Sequence, residues 1–375
     1  MKHTLIGGLL IFLFTITACS SEQGDTAHTD ATSSATQKDT LPLIRPQERK
    51  HFDDAIVLTE GGTNAEAYFS HDGKKLIYQK AWAEQGIPCD QMFIMFLNDD
   101  GTPDTTYMLS NGKGKCTCGF FLPGDTLVIY SSTMAYDSTC PERVRRYKGK
   151  YVWQLDPNYE IFVATLDGKI VKQLTYNKYY DAEAVVSPLG NRILFTSTRD
   201  GDIDLYLMNL DGSNVKRLTH RKGYEGGAFF SPDGSMIVFR AYYPETEEEM
   251  KEYEELLAQN LVAPFKTEIF LMDTNGNIIR QVTDLGGANW APYFHPSGKK
   301  IIFSSNHKAV QKGEKFPFNL YMINIDGTGL EQITYDSEFD AFPMFSPDGK
   351  WLVFESSRVS NSIRELHVIL VKWKD

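Results

Sequence analysis

An internal repeat constrains this chain more than any other feature. Its clearest copy runs Ala184-Val185-Val186-Ser187-Pro188-Leu189-Gly190, then Ile193-Leu194-Phe195-Thr196, then Asp204-Leu205-Tyr206-Leu207-Met208-Asn209. The turn Asp211-Gly212 and the run Lys216-Arg217-Leu218-Thr219 complete it. Short β-branched and aromatic runs bounded by turn residues predict antiparallel hairpins in series. Four such strands make one propeller blade. First strands lead into turns at Ser70, Leu122, Ser187, Ser231, His295 and Ser346, which lie 52, 65, 44, 64 and 51 residues apart. Fourth strands end at Leu109-Ser110, Leu174-Thr175, Leu218-Thr219, Val282-Thr283 and Ile333-Thr334. One more such ending, Val57-Leu58-Thr59, precedes every first strand, and the last strand, Leu366 to Val371, reads as a third strand. The N-terminal strand is therefore predicted to complete the last blade, which leaves no unpaired blade position. The fold class that follows is all-β, a six-bladed β-propeller over residues 51–375.

Ser231-Pro232-Asp233-Gly234 and Ser346-Pro347-Asp348-Gly349 each follow an aromatic pair or Met-Phe and precede an apolar strand. This pattern resembles the PD40 (WD40-like) repeat of the TolB-like family. The resemblance covers roughly Asp53 to the C-terminus and implies a periplasmic six-bladed propeller. TolB proteins carry an α/β domain before the propeller. Here about thirty linker residues fill that space, so the α/β domain is expected to be lacking.

The N-terminus reads as a targeting segment. Lys2 and His3 precede a mostly apolar run, Leu5 to Thr17, which ends in Ile16-Thr17-Ala18-Cys19. The run is too short to span a bilayer and suits a signal-peptide core. Its end resembles a bacterial lipobox, which implies residues 1–18 as a signal peptide and Cys19 as the lipidation site. Membrane attachment would then rest on lipid alone. Residues 19–50 are rich in Ser, Thr, Asp and Gln and are expected to form a flexible tether. The net charge of −11 argues against nucleic-acid partners. The expected location is the bacterial envelope, lipid-anchored at the outer membrane facing the periplasm, with the protein a monomer.

Loops joining second to third strands share a face with the connections between blades. The long insertions, 133–157, 243–266 and 307–317, all fall there, and loops on a rigid scaffold are where binding resides. Thr246 with Glu249 predicts a capped helix carrying Met250, Tyr253, Leu256, Leu257 and Leu261 as its apolar stripe, with Pro264 as its stop. Arg143, Arg145, Arg146, Tyr147, Tyr151 and Trp153 form a basic-aromatic patch suited to an acidic partner or a sugar. Aligning the copies gives Asn64, Cys116, Asp181, Glu225, Asn289 and Asp340 as one ring. Glu66, Cys118, Glu183, Gly227, Ala291 and Phe342 form a second, two residues on. Strand alternation predicts both rings on one side, at an acidic tunnel mouth near Trp290, where a cation or a basic side chain would fit.

Cys89, Cys116, Cys118 and Cys140 map to the loop-rich face of blades one and two, and export makes them disulfide candidates. The preferred pairing is Cys118 with Cys140 and Cys89 with Cys116. No G-x-S-x-G, H-E-x-x-H or phosphate-loop motif is present. No catalytic residues, metal site or resident cofactor are therefore expected. The leading function is a lipid-anchored envelope scaffold that binds a protein or polysaccharide. The second is a carbohydrate-active or other hydrolase or lyase using Glu66, Asp181, Glu183 and Asp340.

Overall fold

The computed structural model describes residues 42–360 and 362–374. The proposed signal peptide, Cys19 and most of the tether lie outside these residues. Among the described residues, six four-stranded antiparallel sheets follow one another as blades. Blade one comprises Thr63–Phe69, Lys75–Trp82, Ile87–Leu97 and Pro103–Met108. Blade two comprises Cys116–Phe121, Leu127–Ser132, Glu160–Thr165 and Ile170–Gln173. Blade three comprises Asp181–Val186, Ile193–Ser197, Asp204–Met208 and Lys216–Arg217. Blade four comprises Tyr224–Phe230, Met236–Tyr242, Glu268–Asp273 and Ile278–Gln281. Blade five comprises Asn289–Phe294, Lys300–Ser305, Asn319–Asn324 and Glu331–Gln332. Blade six comprises Asp340–Phe345, Trp351–Ser356 and His367–Trp373, and its fourth strand is the N-terminal Phe52–Val57.

The recurring Leu-Thr ending has a hydrogen-bonding cause. In each blade the apolar residue's N–H donates to a third-strand carbonyl, and the following hydroxyl accepts from the third strand. Leu218 N donates to Leu205 O while Thr219 Oγ accepts from Leu205 N at 2.9 Å. Thr175, Thr283, Thr334 and Ser110 accept from Ile161, Ile269, Leu320 and Met92 in the same way. Leu58 and Thr59 make this clasp with Val368, which is why the sixth copy sits at the other end of the chain. The turns repeat as well. Ser70, Ser231 and Ser346 Oγ each accept an N–H from the start of the following strand at 2.9–3.0 Å.

Burial is dictated by the same register. One aromatic per second strand is fully enclosed between blades: Tyr78, Tyr130, Phe195, Phe239, Phe303 and Phe354. Burial of such a ring contributes about 1.5–3 kcal/mol relative to exposure. All six belong to the apolar core.

The end of the expected tether is ordered. Pro46–Lys50 form a 3₁₀ turn, with Ile44 and Glu48 buried. Arg358, from the loop after the second strand of blade six, donates to both Glu48 carboxylate oxygens, to Asp340 Oδ2 at 2.7 Å and to Leu43 O at 2.7 Å. Arg45 reaches Asp336 at 3.4 Å. Composition alone missed this, because the segment docks through buried ion pairs together with Leu43 and Ile44, which join the apolar core of blades five and six. Docking also fixes the approach of the closing strand.

The blade-four insertion carries the expected helix, Glu247–Leu257, with Thr246 Oγ1 accepting from Glu249 N. Tyr253 and Leu256 are its buried residues. The helix stops before Pro264, since Leu261–Val262 form a short strand paired with Trp153–Gln154 of the blade-two insertion. The two insertions therefore brace one another.

Candidate functional site

Every first strand carries a β-bulge. Pairing runs Asn64 with Lys80 and Ala65 with Gln79, then resumes at Tyr68 with Ile77. The bulged residue is left-handed in all six blades: Glu66 (φ 56°), Cys118 (51°), Glu183 (57°), Gly227 (55°), Ala291 (45°) and Phe342 (53°). Five of these are not glycine, and L-residues pay roughly 1–2 kcal/mol for that conformation. The bulge also breaks the side-chain alternation. The two rings read from the sequence therefore do not share a side. The second ring lines the axial tunnel. The first turns into the blades, where Asn64, Asp181, Glu225, Asn289 and Asp340 are fully buried.

That correction decides what the carboxylates can do. Asp181 receives both contacts of the Arg199 Nη2 amine, at 2.8 and 2.9 Å. Asp340 pairs with Arg358, yet burial still raises its carboxyl to about 6. Glu225 is enclosed beside Tyr243, and burial pushes its carboxyl well above the usual range. Asn289 spans Thr267 O and Ser305 Oγ, and Asn64 donates to Leu366 O. Asn64, Asp181 and Asn289 thereby fasten the inter-blade connections that lead into their strands, at Gly61, Asn177 and Gly286.

Glu66 and Glu183 do face the tunnel, around a cavity of about 30 Å³, room for a water or two. Glu183 accepts from Arg240 at 2.6 Å, Gly227 N at 2.7 Å and Thr196 Oγ1 at 2.7 Å. The Arg240 guanidinium and these bonds hold it below the usual carboxylate range against the opposing effect of burial. Glu66 lacks a cation of its own, and burial raises its carboxyl to about 7. Arg240 also donates to Tyr224 Oη and lies over Trp153, 5.3 Å from the ring centre. Among the described residues no group of three His, Cys, Asp or Glu forms a metal-binding arrangement.

Sequence reading missed Arg240 and its counterparts. In every second strand a polar residue follows the buried aromatic: Gln79, Ser131, Thr196, Arg240, Ser304 and Glu355. Several of them bond the bulge region of a neighbouring blade. Gln79 Oε1 accepts from Cys118 N, Ser304 Oγ donates to Asp340 O, and Glu355 Oε1 accepts from Ala67 N. The regular break in an apolar strand was the signal.

Below the cavity, Tyr68, Phe120, Phe229 and Tyr293 pack edge to face or tilted, with centroids 5.1–6.3 Å apart, and narrow the axis. A second chamber of about 240 Å³ opens beyond them, toward the Ser-Pro turns. Above the tunnel, Trp290 stacks on Phe318 at 4.5 Å, and Trp153 sits 5.2 Å from Trp290. The blade-two insertion thus covers the tunnel mouth.

Its basic-aromatic patch is partly spent within the chain. Lys148 and Tyr147 engage Glu255 of the helix, and Lys150 engages Glu252. Tyr151 Oη accepts from Trp153 Nε1, and Arg146 donates to Gly149 O. Arg143 and Arg145 remain exposed. Among the described residues, the aromatic side chains that stand exposed are Tyr136, Tyr176, Tyr179, Phe265, Phe316 and Tyr335. All six lie in second-to-third insertions or inter-blade connections, on the one loop-rich face.

Residues 150–256 and 255–363 match the family model described as TolB beta propeller domain, PD40. These stretches span more than half of the chain, and the chain belongs to that family. An uncharacterized protein of Agrobacterium fabrum is 29% identical over 89 residues, which cover 24% of this chain and 28% of that relative. A putative TolB from Agrobacterium tumefaciens superposes with a TM-score of 0.52 at 19% identity, covering 84% of this chain and 91% of that one. An oligogalacturonate lyase from Vibrio parahaemolyticus superposes with a TM-score of 0.50 at 11% identity, covering 85% and 93%. At these identities the two structures share the fold. Among the described residues no helix is long and apolar enough to cross a membrane.

Proposed function

We propose that this chain is a non-catalytic binding protein of the bacterial envelope, anchored through lipid on Cys19, which holds a protein or polysaccharide partner against its loop-rich face. The observation that carries this reading is the segregation of exposed aromatics. Tyr136, Tyr176, Tyr179, Phe265, Phe316 and Tyr335 share one face. The exposed aliphatics are not segregated in this way: Val57, Met108, Val171, Val215, Ile278, Ile279 and Leu330 lie along outer edge strands or their turns and Leu189 in a first-to-second turn, while Val144, Val310 and Val359 share the loop-rich face. Aromatic side chains give large contact area at low entropic cost, which suits both protein interfaces and sugar rings. The hydrolase or lyase reading has weaker support, because Asp181, Glu183 and Asp340 are each paired with an arginine.

The test is capture from envelope extracts by purified protein. A variant carrying Tyr176→Ser, Tyr179→Ser and Phe316→Ser is compared with one carrying Ile278→Ser and Ile279→Ser on the outer edge. Partner recovery falls at least tenfold for the first and stays unchanged for the second. Equal recovery by both, with unchanged circular dichroism, would reject the loop face as the binding surface.

A further inference from the structure

Of the four cysteines in the propeller, two are buried among other partners. Cys116 Sγ is enclosed within blade two, 3.6 Å from Ser132 Oγ. Cys118 faces the tunnel beside Glu66. The bulge between them turns these two thiols apart. The pairings favoured by sequence position, Cys118 with Cys140 and Cys89 with Cys116, do not match this arrangement. All four are thiols in the structure.

Cys89 and Cys140 differ from that pair. Cys89 lies near the start of the third strand of blade one, at the loop-rich face, with Sγ 3.4 Å from Gly114 O. Gly114 N donates to Ser138 O at 2.9 Å. Thr133 Oγ1 accepts from Lys115 N at 2.9 Å, and Thr133 N donates to Lys115 O at 3.0 Å. The segment 133–138 is thereby folded onto Gly114. Only glycine permits this approach, since a Cβ there would fall 2.6 Å from Thr133 Oγ1 and 2.7 Å from Asp137 O. Two residues beyond Ser138, Cys140 comes close enough to Cys89 for the two thiols to influence one another. Cys140 is exposed, whereas Cys89 is buried.

We propose that Cys89 and Cys140 form a disulfide that fastens the root of the blade-two insertion to blade one. The exposed Cys140 thiolate attacks one sulfur of an external disulfide, either a small-molecule or a protein disulfide, and expels one thiolate. Cys89 then loses its proton and attacks Cys140 Sγ, expelling the second. Two thiols have lost two protons and two electrons, and the external disulfide has become two thiols. The insertion is then held at both ends, covalently at Cys140 and by strand pairing at Trp153–Gln154. Trp153 stays over Arg240 and the tunnel mouth is kept covered.

The full chain, oxidised with glutathione disulfide, is alkylated while folded and mapped by non-reducing peptide mass spectrometry. The expected result is one cross-linked peptide pair containing Cys89 and Cys140, with a mass loss of two hydrogens, and alkylation of Cys116 and Cys118 only after unfolding. Reduction lowers the melting temperature of the parent by several degrees and leaves Cys140→Ser unmoved. Recovery of Cys89 joined to Cys116 or Cys118 would overturn the proposal, as would alkylation of both Cys89 and Cys140 after oxidation.

Discussion

Replacing Arg358 by alanine tests how the ring is closed. The guanidinium is buried and bonds Glu48 at 3.0 and 3.2 Å, Asp340 at 2.7 Å, Leu43 O at 2.7 Å and Ser356 Oγ at 3.0 Å. With Arg45 it offsets three buried carboxylates, those of Glu48, Asp336 and Asp340. The substitution leaves those carboxylates with Arg45 alone. Removing one partner of a buried ion pair costs about 3–5 kcal/mol, and the three stranded carboxylates place this case at the upper end. Urea unfolding followed by tryptophan fluorescence measures the change, with the slope in denaturant unaltered. Hydrogen exchange should locate the damage in residues 43–57 first, because that segment loses its clamp while blades two to four keep theirs. Glu48→Gln keeps the shape and removes one charge, so its cost should be smaller. A loss below about 1 kcal/mol for Arg358→Ala would refute the idea that buried charge pins the closing strand.

Other consequences follow from the same geometry. Burial raises Glu66 to about 7 and both Asp204 and Asp340 to about 6. A carboxyl raised in the folded state favours folding when protonated. That stability is full below the unfolded value near 4 and is lost as pH rises through 6 to 7. The propeller should therefore resist urea better at pH 5.5 than at pH 8, and Glu66→Gln should flatten the difference; a parent that is more stable at pH 8 would contradict this. Gly227→Ala would place a Cβ 1.7 Å from Arg240 Nη1. It should cost about 3 kcal/mol by displacing that guanidinium from Glu183, and thermal melting without loss would show that the pair is dispensable. Trp153→Ala should lower stability by about 2 kcal/mol and speed hydrogen exchange in the helix 247–257, since the ring covers Arg240 and Trp290. Unchanged exchange there would mean that the insertions do not brace each other.

The scaffold was legible because repetition averages out local ambiguity. Six turns and six endings of an apolar residue followed by Thr or Ser agreed, and the orphan Val57-Leu58-Thr59 implied the closure that its bonds to Val368 make. The site was less legible. Alternation predicted one side for Asp181 and Glu183, and the bulge at Glu183 separated them. Nothing in the residue types Glu66, Cys118, Ala291 or Phe342 advertises a left-handed backbone; Gly227 alone hinted at it. The docking of Glu48 and the meeting of Cys89 with Cys140 depend on contacts between distant segments, which no local pattern encodes. Arg240 and Glu355 were readable as charges breaking apolar strands at one repeat position, a signal visible once the copies are aligned on their buried aromatics.

Hydrogen exchange on the propeller bound to its captured partner tests the binding face most directly. Protection is expected in the segments carrying Tyr136, Tyr176, Tyr179, Phe265 and Phe316. The Ser-Pro turns around Ser231 and Ser346, which rim the second chamber, should exchange as in the free protein. Protection confined to those turns would contradict the assignment and move the partner to the opposite mouth of the tunnel.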